Sequence, residues 1–398
     1  MSQAAKPIIF LFLFCVSHSL FSQAKFERLY GKTDFYDRGN AVSQCRDGGY
    51  IIVGRTVNFK SKRGVDAYLV RTNALGDTIW TKTIGDKGSE EAYSVQQTAD
   101  DGFIITGFSD SYGSGSLDVY LIKTNAKGDP EWTKAYGGSE VDRGYSVQQC
   151  ADGGYIITGE TYSFGNGGVN AYLIRTNAKG DTLWTKVFGG NGIEEGRSVQ
   201  ETTDGGYVIT GATNSFGAGD YDIYLIRTDN EGEMVWTKTF GGSGTEKGYS
   251  VFETEDKGFV IAGNTESYGM GGSDIYLIRT GANGIEFWSK TYGGKNDEYG
   301  HSVQQIADGG VIIAGYTNSK GAGGKDVYLV RTDENGDVIW ERTYGSDSDE
   351  CGKSVQQTSD GGFAVAGNKI TMSSSGIDAE KIKDIFLIKT DAKGDSQE

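Results

Sequence analysis

Carboxylates recurring at one fixed spacing are the first feature of this chain that could do chemistry. Asp37, Glu90, Asp142, Glu194, Glu246, Glu298 and Glu350 follow one another at about 52 residues. Gathered around one opening, they would offer the clustered oxygens that Ca²⁺ prefers, or a pair placed to cleave or eliminate across a glycosidic bond. Sevenfold repetition also fits a plainer role. Each carboxylate could accept backbone N–H bonds in its own loop and pin one unit to the next.

Other reactive types are sparse. His301 is the one histidine beyond the leader region; its counterparts in other units are Tyr145, Arg197, Tyr249 and Lys353, so it reads as a variable strand-edge residue. General acid–base work needs a positioned base with an orienting partner, which this pattern does not supply. No phosphate-cradling glycine loop, zinc spacing or nucleophile elbow is present. Cys45, Cys150 and Cys351 fall at mismatched phases, an odd set that reads as small apolar strand residues. No catalytic, cofactor-binding or metal-ligating residue is assigned, with Ca²⁺ kept as the one candidate ion.

Composition narrows the partners. The chain has 38 Lys and Arg against 54 Asp and Glu, a formal net charge of −16. Such a surface repels nucleic acid, whose binding needs clustered cations. Residues 1–22 carry Lys6, the apolar run Ile8–Val16 and small residues at Ser17, Ser19 and Ser22, the layout of a secretory signal peptide. Export to the periplasm, cell surface or medium is therefore expected, with no membrane span in the remaining chain and a monomeric state.

The elements that position these residues come from a repeat. Trp80, Trp132, Trp184, Trp236, Trp288 and Trp340 are each 52 residues apart. In the third unit the segments Ser146–Gln149, Tyr155–Gly159, Ala171–Thr176 and Thr182–Phe188 read as four strands, separated by turn-forming Asp, Asn and Gly. The middle two are apolar on consecutive residues, as in a sheet buried on both faces. The Asp-turn between the first two segments occurs seven times, from Asp47 to Asp360, but the tryptophan segment six times. Phe26-Glu27-Arg28-Leu29-Tyr30-Gly31 matches Trp340-Glu341-Arg342-Thr343-Tyr344-Gly345 and supplies the seventh. The expected fold is an all-β, seven-bladed propeller over residues 23–398, its last blade completed by the N-terminal strand.

The motif W-x-K-x-[YF]-G-G, an acid, G-x-S-V and D-G-G-[YF]-[IV]-I-x-G-x-T resembles the bacterial β-propeller repeat families of secreted and cell-surface proteins, from about Phe26 to Asp395. That resemblance implies fold and export but no chemistry. Asp333-Glu334-Asn335-Gly336-Asp337-Val338-Ile339-Trp340 is also similar to the docking motif of PQQ-type quinoprotein propellers, through a shared hairpin.

Departures from the repeat are where function is expected. The second-to-third-strand loop carries Tyr112, Phe164, Phe216 and Tyr268, rings that could stack on sugars or fill the wedge between blades. Unit one has Phe59, Lys60, Lys62 and Arg63 there, and unit seven a longer stretch with Lys369, Lys381 and Lys383. Ring closure makes these units neighbours, so the seven residues form a candidate patch for a protein partner or an anionic glycan. Divergence of terminal repeats is the plainer reading, since end repeats are commonly atypical. The leading expectation is a non-enzymatic binding or structural module; the alternative is a glycosidase or lyase using carboxylates on the loop face.

Overall fold

The computed structural model describes residues 24–31, 35–58, 64–372 and 381–396. The expected leader and Phe59, Lys60, Lys62 and Arg63 lie outside them. The described residues form seven four-stranded antiparallel sheets. The third blade runs Asp142–Gln149, Tyr155–Thr161, Asn170–Thr176 and Thr182–Phe188 from the axis outward. Every residue of its middle two strands is buried, as their unbroken apolar runs require. The seventh blade is Glu350–Gln357, Phe363–Met372, Lys381–Thr390 and, outermost, Phe26–Tyr30. Phe26 pairs with Lys389 as Trp184 pairs with Arg175, so the N-terminal strand stands in the tryptophan register.

Turn chemistry follows from the sequence. Gly180 and Gly232, which close the outer hairpins of blades three and four, both have φ of +77°, the left-handed region that glycine enters without steric cost. The tryptophan four residues after each such glycine serves the next blade. Trp184 meets Tyr207 edge-on at 5.8 Å, and a Cβ on Gly232 would lie 2.7 Å from its ring.

The repeated S-V-Q-Q has a physical reason. The innermost strand has no neighbour on its axial side, so its N–H groups need partners from elsewhere. The preceding blade supplies them: Ser146 Oγ accepts from Val199 N at 3.3 Å, and Gln148 Oε1 from Glu201 N at 2.7 Å. The same two bonds join blade seven to blade one, from Val42 N to Ser354 Oγ at 3.2 Å and from Gln44 N to Gln356 Oε1 at 2.6 Å. Side-chain acceptors thus stand in for the missing strand at five of the seven blade junctions, the seam included; blade one, with Ala41 and Ser43 at these places, and blade five, with Phe252, depart from the pattern.

Candidate binding site at the channel mouth

One position in the innermost strand escapes this regularity. Register shifts by one residue between Gly144 and Ser146, and at the corresponding place in every blade. The residue left over is a β-bulge, which bends the strand and re-aims its side chain. The seven bulge residues are Asn40, Tyr93, Tyr145, Arg197, Tyr249, His301 and Lys353. They meet around the axis. Tyr93 packs on Tyr145 at 5.3 Å between ring centroids, and the Arg197 guanidinium lies 3.9 Å over Tyr145. Tyr249 meets His301 edge-on at 5.3 Å, and Lys353 Nζ is 2.9 Å from His301 Nε2. Asn40 Nδ2 donates to Glu91 Oε1 and to Ala92 O, both at 2.9 Å.

Toward the loop face a second tier of non-repeating residues surrounds them. Glu91 binds Arg55 at 3.0 Å, Arg143 binds Glu160 at 2.5 Å, and Arg197 reaches Glu195 at 2.6 Å. Tyr299 stacks on Tyr316 at 5.0 Å. Burial lowers the His301 pKa well below its ordinary value, and the nearby Lys353, Arg38, Lys325 and Arg197 push it further the same way. The imidazole is therefore neutral and accepts the Lys353 ammonium proton at Nε2. Its surroundings are rings and cations, so His301 is part of an inward-facing mosaic rather than the strand-edge position expected from sequence. Recognition, by stacking and by charge, is the chemistry this arrangement supports.

The repeated carboxylates behave differently. They belong to the innermost strands rather than to loops, as with Glu298 at the start of Glu298–Gln305, and they are buried. Glu298 Oε1 accepts from Thr317 Oγ1 at 2.6 Å and Ser319 N at 3.1 Å, while Oε2 accepts from Gly294 N at 2.6 Å. Glu194 and Glu246 hold equivalent donors. These carboxylates pin the loop entering one blade to the loops beside it. Among the described residues no group of three His, Cys, Asp or Glu is placed to hold a metal ion.

A second acid presses on several of them. Asp274, opening the third strand of blade five, shares Gly293 with Glu298, whose carboxylates flank the place a Cβ would take. Burial and then the charges of Glu298 and Asp297 raise the Asp274 pKa to about 6, against an opposing bond from the Met270 N–H. Asp118 and Asp326 are raised in the same way, chiefly by burial. A raised carboxyl stabilises the fold fully below its unfolded pKa, and that stability is lost as pH rises through the folded value. The turn carboxylates act oppositely: Asp100, lowered to about 2 by Thr98 and the Lys123 ammonium against its own desolvation, contributes stability that disappears as pH falls toward 2. Melting temperature should therefore peak between about pH 4 and 5 and fall toward pH 7. Asp274→Asn should flatten part of that fall and raise the pH 7 value by on the order of 2 °C; Asn170 already occupies this position in blade three. Calorimetry at intervals of half a pH unit reads both, and an unchanged pH profile for the variant would remove the assignment.

Of the residues singled out from sequence, Lys369 is an internal partner. It stands opposite Glu350 in the ladder, and its Nζ lies 2.9 Å from Glu350 Oε1 and 3.1 Å from Ser346 Oγ. Lys381 and Lys383 are in register with Met372 and Ile370, toward the loop end of blade seven. The loop rings are not bare: each lies between its own blade and the loop leaving the blade before it, as where Tyr268 donates its hydroxyl to Gly241 O at 3.0 Å. Tyr112, Phe164, Phe216 and Tyr268 are half exposed, each lying on the third-strand tyrosine of its own blade at 5.3 to 5.9 Å.

No family model matches the chain. It is 27% identical over 245 residues to the regulatory protein FlaEY of Caulobacter vibrioides, a match covering 58% of this chain and 22% of that protein. The chain thus spans well under half the length of that relative. Among solved structures it is similar to the WD40 domain of Neurospora crassa Pan2, with TM-score 0.51 and 10% identity over 88% of each chain. YCF48 bound to D1 peptide superposes with TM-score 0.52 and 10% identity over 94% of this chain and 100% of that one. A puromycin hydrolase S511A mutant complexed with PGG gives TM-score 0.52 and 12% identity over 85% and 51%. At these identities the likeness is one of fold: a seven-bladed, all-β propeller of four-stranded antiparallel blades.

Proposed function

We propose that this chain is an exported, non-enzymatic recognition propeller that binds a protein or glycan at the loop-face mouth of its central channel. One observation carries the reading. Side chains are repeated nearly everywhere that serves blade closure, yet the bulge position holds Asn40, Tyr93, Tyr145, Arg197, Tyr249, His301 and Lys353, five residue types in seven places. Rings and paired charges in a concave opening suit selective contact. The peptide-bound YCF48 propeller supports a binding role by analogy of fold. Export rests on the leader-like residues 1–22.

Glycan and peptide arrays probed with the full chain and with a Tyr145→Ala, Tyr249→Ala double variant test this. The variant should lose at least about tenfold in signal on any feature the parent binds, since interfacial tyrosines commonly contribute 1–2 kcal/mol each or more. Equal binding by the two proteins, with melting temperatures matched, would place recognition elsewhere.

A further inference from the structure

Away from the channel, the outer part of blade seven departs from the repeat. In blades two to five the loop between second and third strands lays a ring on the third-strand tyrosine, and blade six places Lys320 there instead. The Lys320 ammonium lies 5.0 Å over the Tyr328 ring and donates to the Tyr328 hydroxyl at 3.0 Å. Glu341 completes the group, accepting from Lys320 and, at 2.6 Å, from that hydroxyl. In blades two to five the position of Glu341 holds Thr133, Thr185, Thr237 and Ser289, each bonded to its tyrosine. Within this chain, a carboxylate beside the ring goes with an ammonium.

Blade seven repeats the receiving half of that arrangement. Phe386 stands at the Tyr328 position and Glu27 at the Glu341 position, with Leu29 opposite Phe386 as Thr343 is opposite Tyr328. Its second strand, however, stays paired with the third out to Met372 and Lys381, where blade six has already turned into the loop that carries Lys320. Between blades six and seven lies a cavity of about 230 Å³, bordered by Glu27, Leu29, Tyr344, Gly345, Glu350 and Phe386. Gly345 corresponds to Gly241, whose carbonyl accepts the Tyr268 hydroxyl. The cavity therefore takes the place that a loop side chain fills in the earlier blades.

Most charges around it already answer one another. Lys369, also at its border, lies 2.9 Å from Glu350. Arg28 borders it too, but successive strand residues face opposite ways, and its guanidinium lies 5.5 Å over Phe26, on the blade-one side. On the far side of Glu27, Lys25 pairs with Asp391 at 3.8 Å and Arg342 with Asp395 at 3.5 Å. Glu27 is exposed and accepts from Ser396 Oγ at 2.7 Å; among the described residues no cation pairs with it.

We propose that this cavity is a socket for a lysine side chain of a basic partner protein, with the stem along Leu29, Tyr344 and Phe386 and the ammonium on Glu27. The incoming lysine takes the place that Lys320 has in blade six. A charge-assisted bond and the ring beside it both favour a cation over a neutral group. The net charge of −16 draws a basic partner toward it. This site is separate from the channel mouth and stands whether or not the mouth binds.

Titration of the full chain, isotope-labelled at its leucine methyls, with the peptide acetyl-Gly-Lys-Gly-amide tests it by NMR. The Leu29 methyl resonances should shift and saturate, less tightly as salt rises. Those of Leu183, similarly exposed on blade three, should hold still. Replacing lysine in the peptide by norleucine, or Glu27→Gln in the protein, should weaken binding about fivefold or more. Glu27→Gln keeps an oxygen to accept from Ser396, and matched melting curves confirm an unchanged fold. Equal binding of the norleucine peptide, tighter binding of a phenylalanine peptide, or a Glu27→Gln variant that binds unchanged would each overturn the proposal. So would a Leu183 response equal to that of Leu29.

Discussion

Removing the first 31 residues should destabilise the fold by about 5 kcal/mol and leave it aggregation-prone, because the outer strand of blade seven goes with them. Phe26 and Tyr30 are buried, and Tyr30 donates its hydroxyl to Gly76 O at 2.7 Å across the seam. Phe26 also meets Tyr50 of blade one at 6.2 Å. Burying two aromatic side chains contributes roughly 1.5–3 kcal/mol each, and the lost ladder leaves Ile385–Lys389 as an open edge. The defect should be one of connectivity rather than content. Ser396 occupies the place that Thr182 holds in blade three, and Lys25 that of Leu183, so the two are successive in register. Ser396 Oγ already reaches Glu27 Oε1 at 2.7 Å. A permuted chain in which Lys25–Gly31 directly follow Ser396 should therefore recover the midpoint of urea unfolding of the parent. A shortened chain with an unshifted midpoint, or a permutant no better than the truncation, would show that the seam is not closed by this strand.

That closure was legible because it is a matter of spacing. Phe26 aligns with Trp340 whatever the three-dimensional details, and counting turns against tryptophans exposes the missing seventh strand. The S-V-Q-Q motif was visible as a pattern but not as a device, since its acceptors bind the neighbouring blade some 50 residues away, a partner that periodicity alone does not name. The channel mouth was harder. A bulge present in every blade leaves the repeat length untouched, so nothing in the 52-residue period marks it. The variation from Tyr145 to Arg197 to His301 resembles drift until its side chains are known to face the axis. The usable signal was there: within G-x-S-V-Q-Q, the flanking positions hold nearly constant and x does not. Lys369 misled for the opposite reason. Counting its charge as surface potential overlooks Glu350, its cross-strand partner in an ordinary antiparallel ladder.

Gly159→Ala should cost about 3 kcal/mol and disturb the mouth, although the residue lies in the second strand and touches no ligand. Its register partner is Gly144, one residue before the bulge at Tyr145. The bulge carries the Arg143 carbonyl across Gly159, so a Cβ there would overlap that oxygen. The same approach recurs in each blade, as at Gly211 over Glu195 O and Gly315 over Tyr299 O. The glycine ending Y-I-I-T-G is thus fixed by the bulge, and the bulge is what turns Tyr145 toward Arg197. Gly153→Ala is the useful contrast: its φ is +84°, but a Cβ would have nothing within 4 Å. That change should cost only about 1 kcal/mol through backbone strain and leave the mouth intact. The Arg197 Nε–H resonance, shifted by the Tyr145 ring 3.9 Å away, should move in Gly159→Ala and hold still in Gly153→Ala. If both variants lose equal stability and neither moves that resonance, the bulge does not control the mouth, and the link from strand register to recognition surface fails.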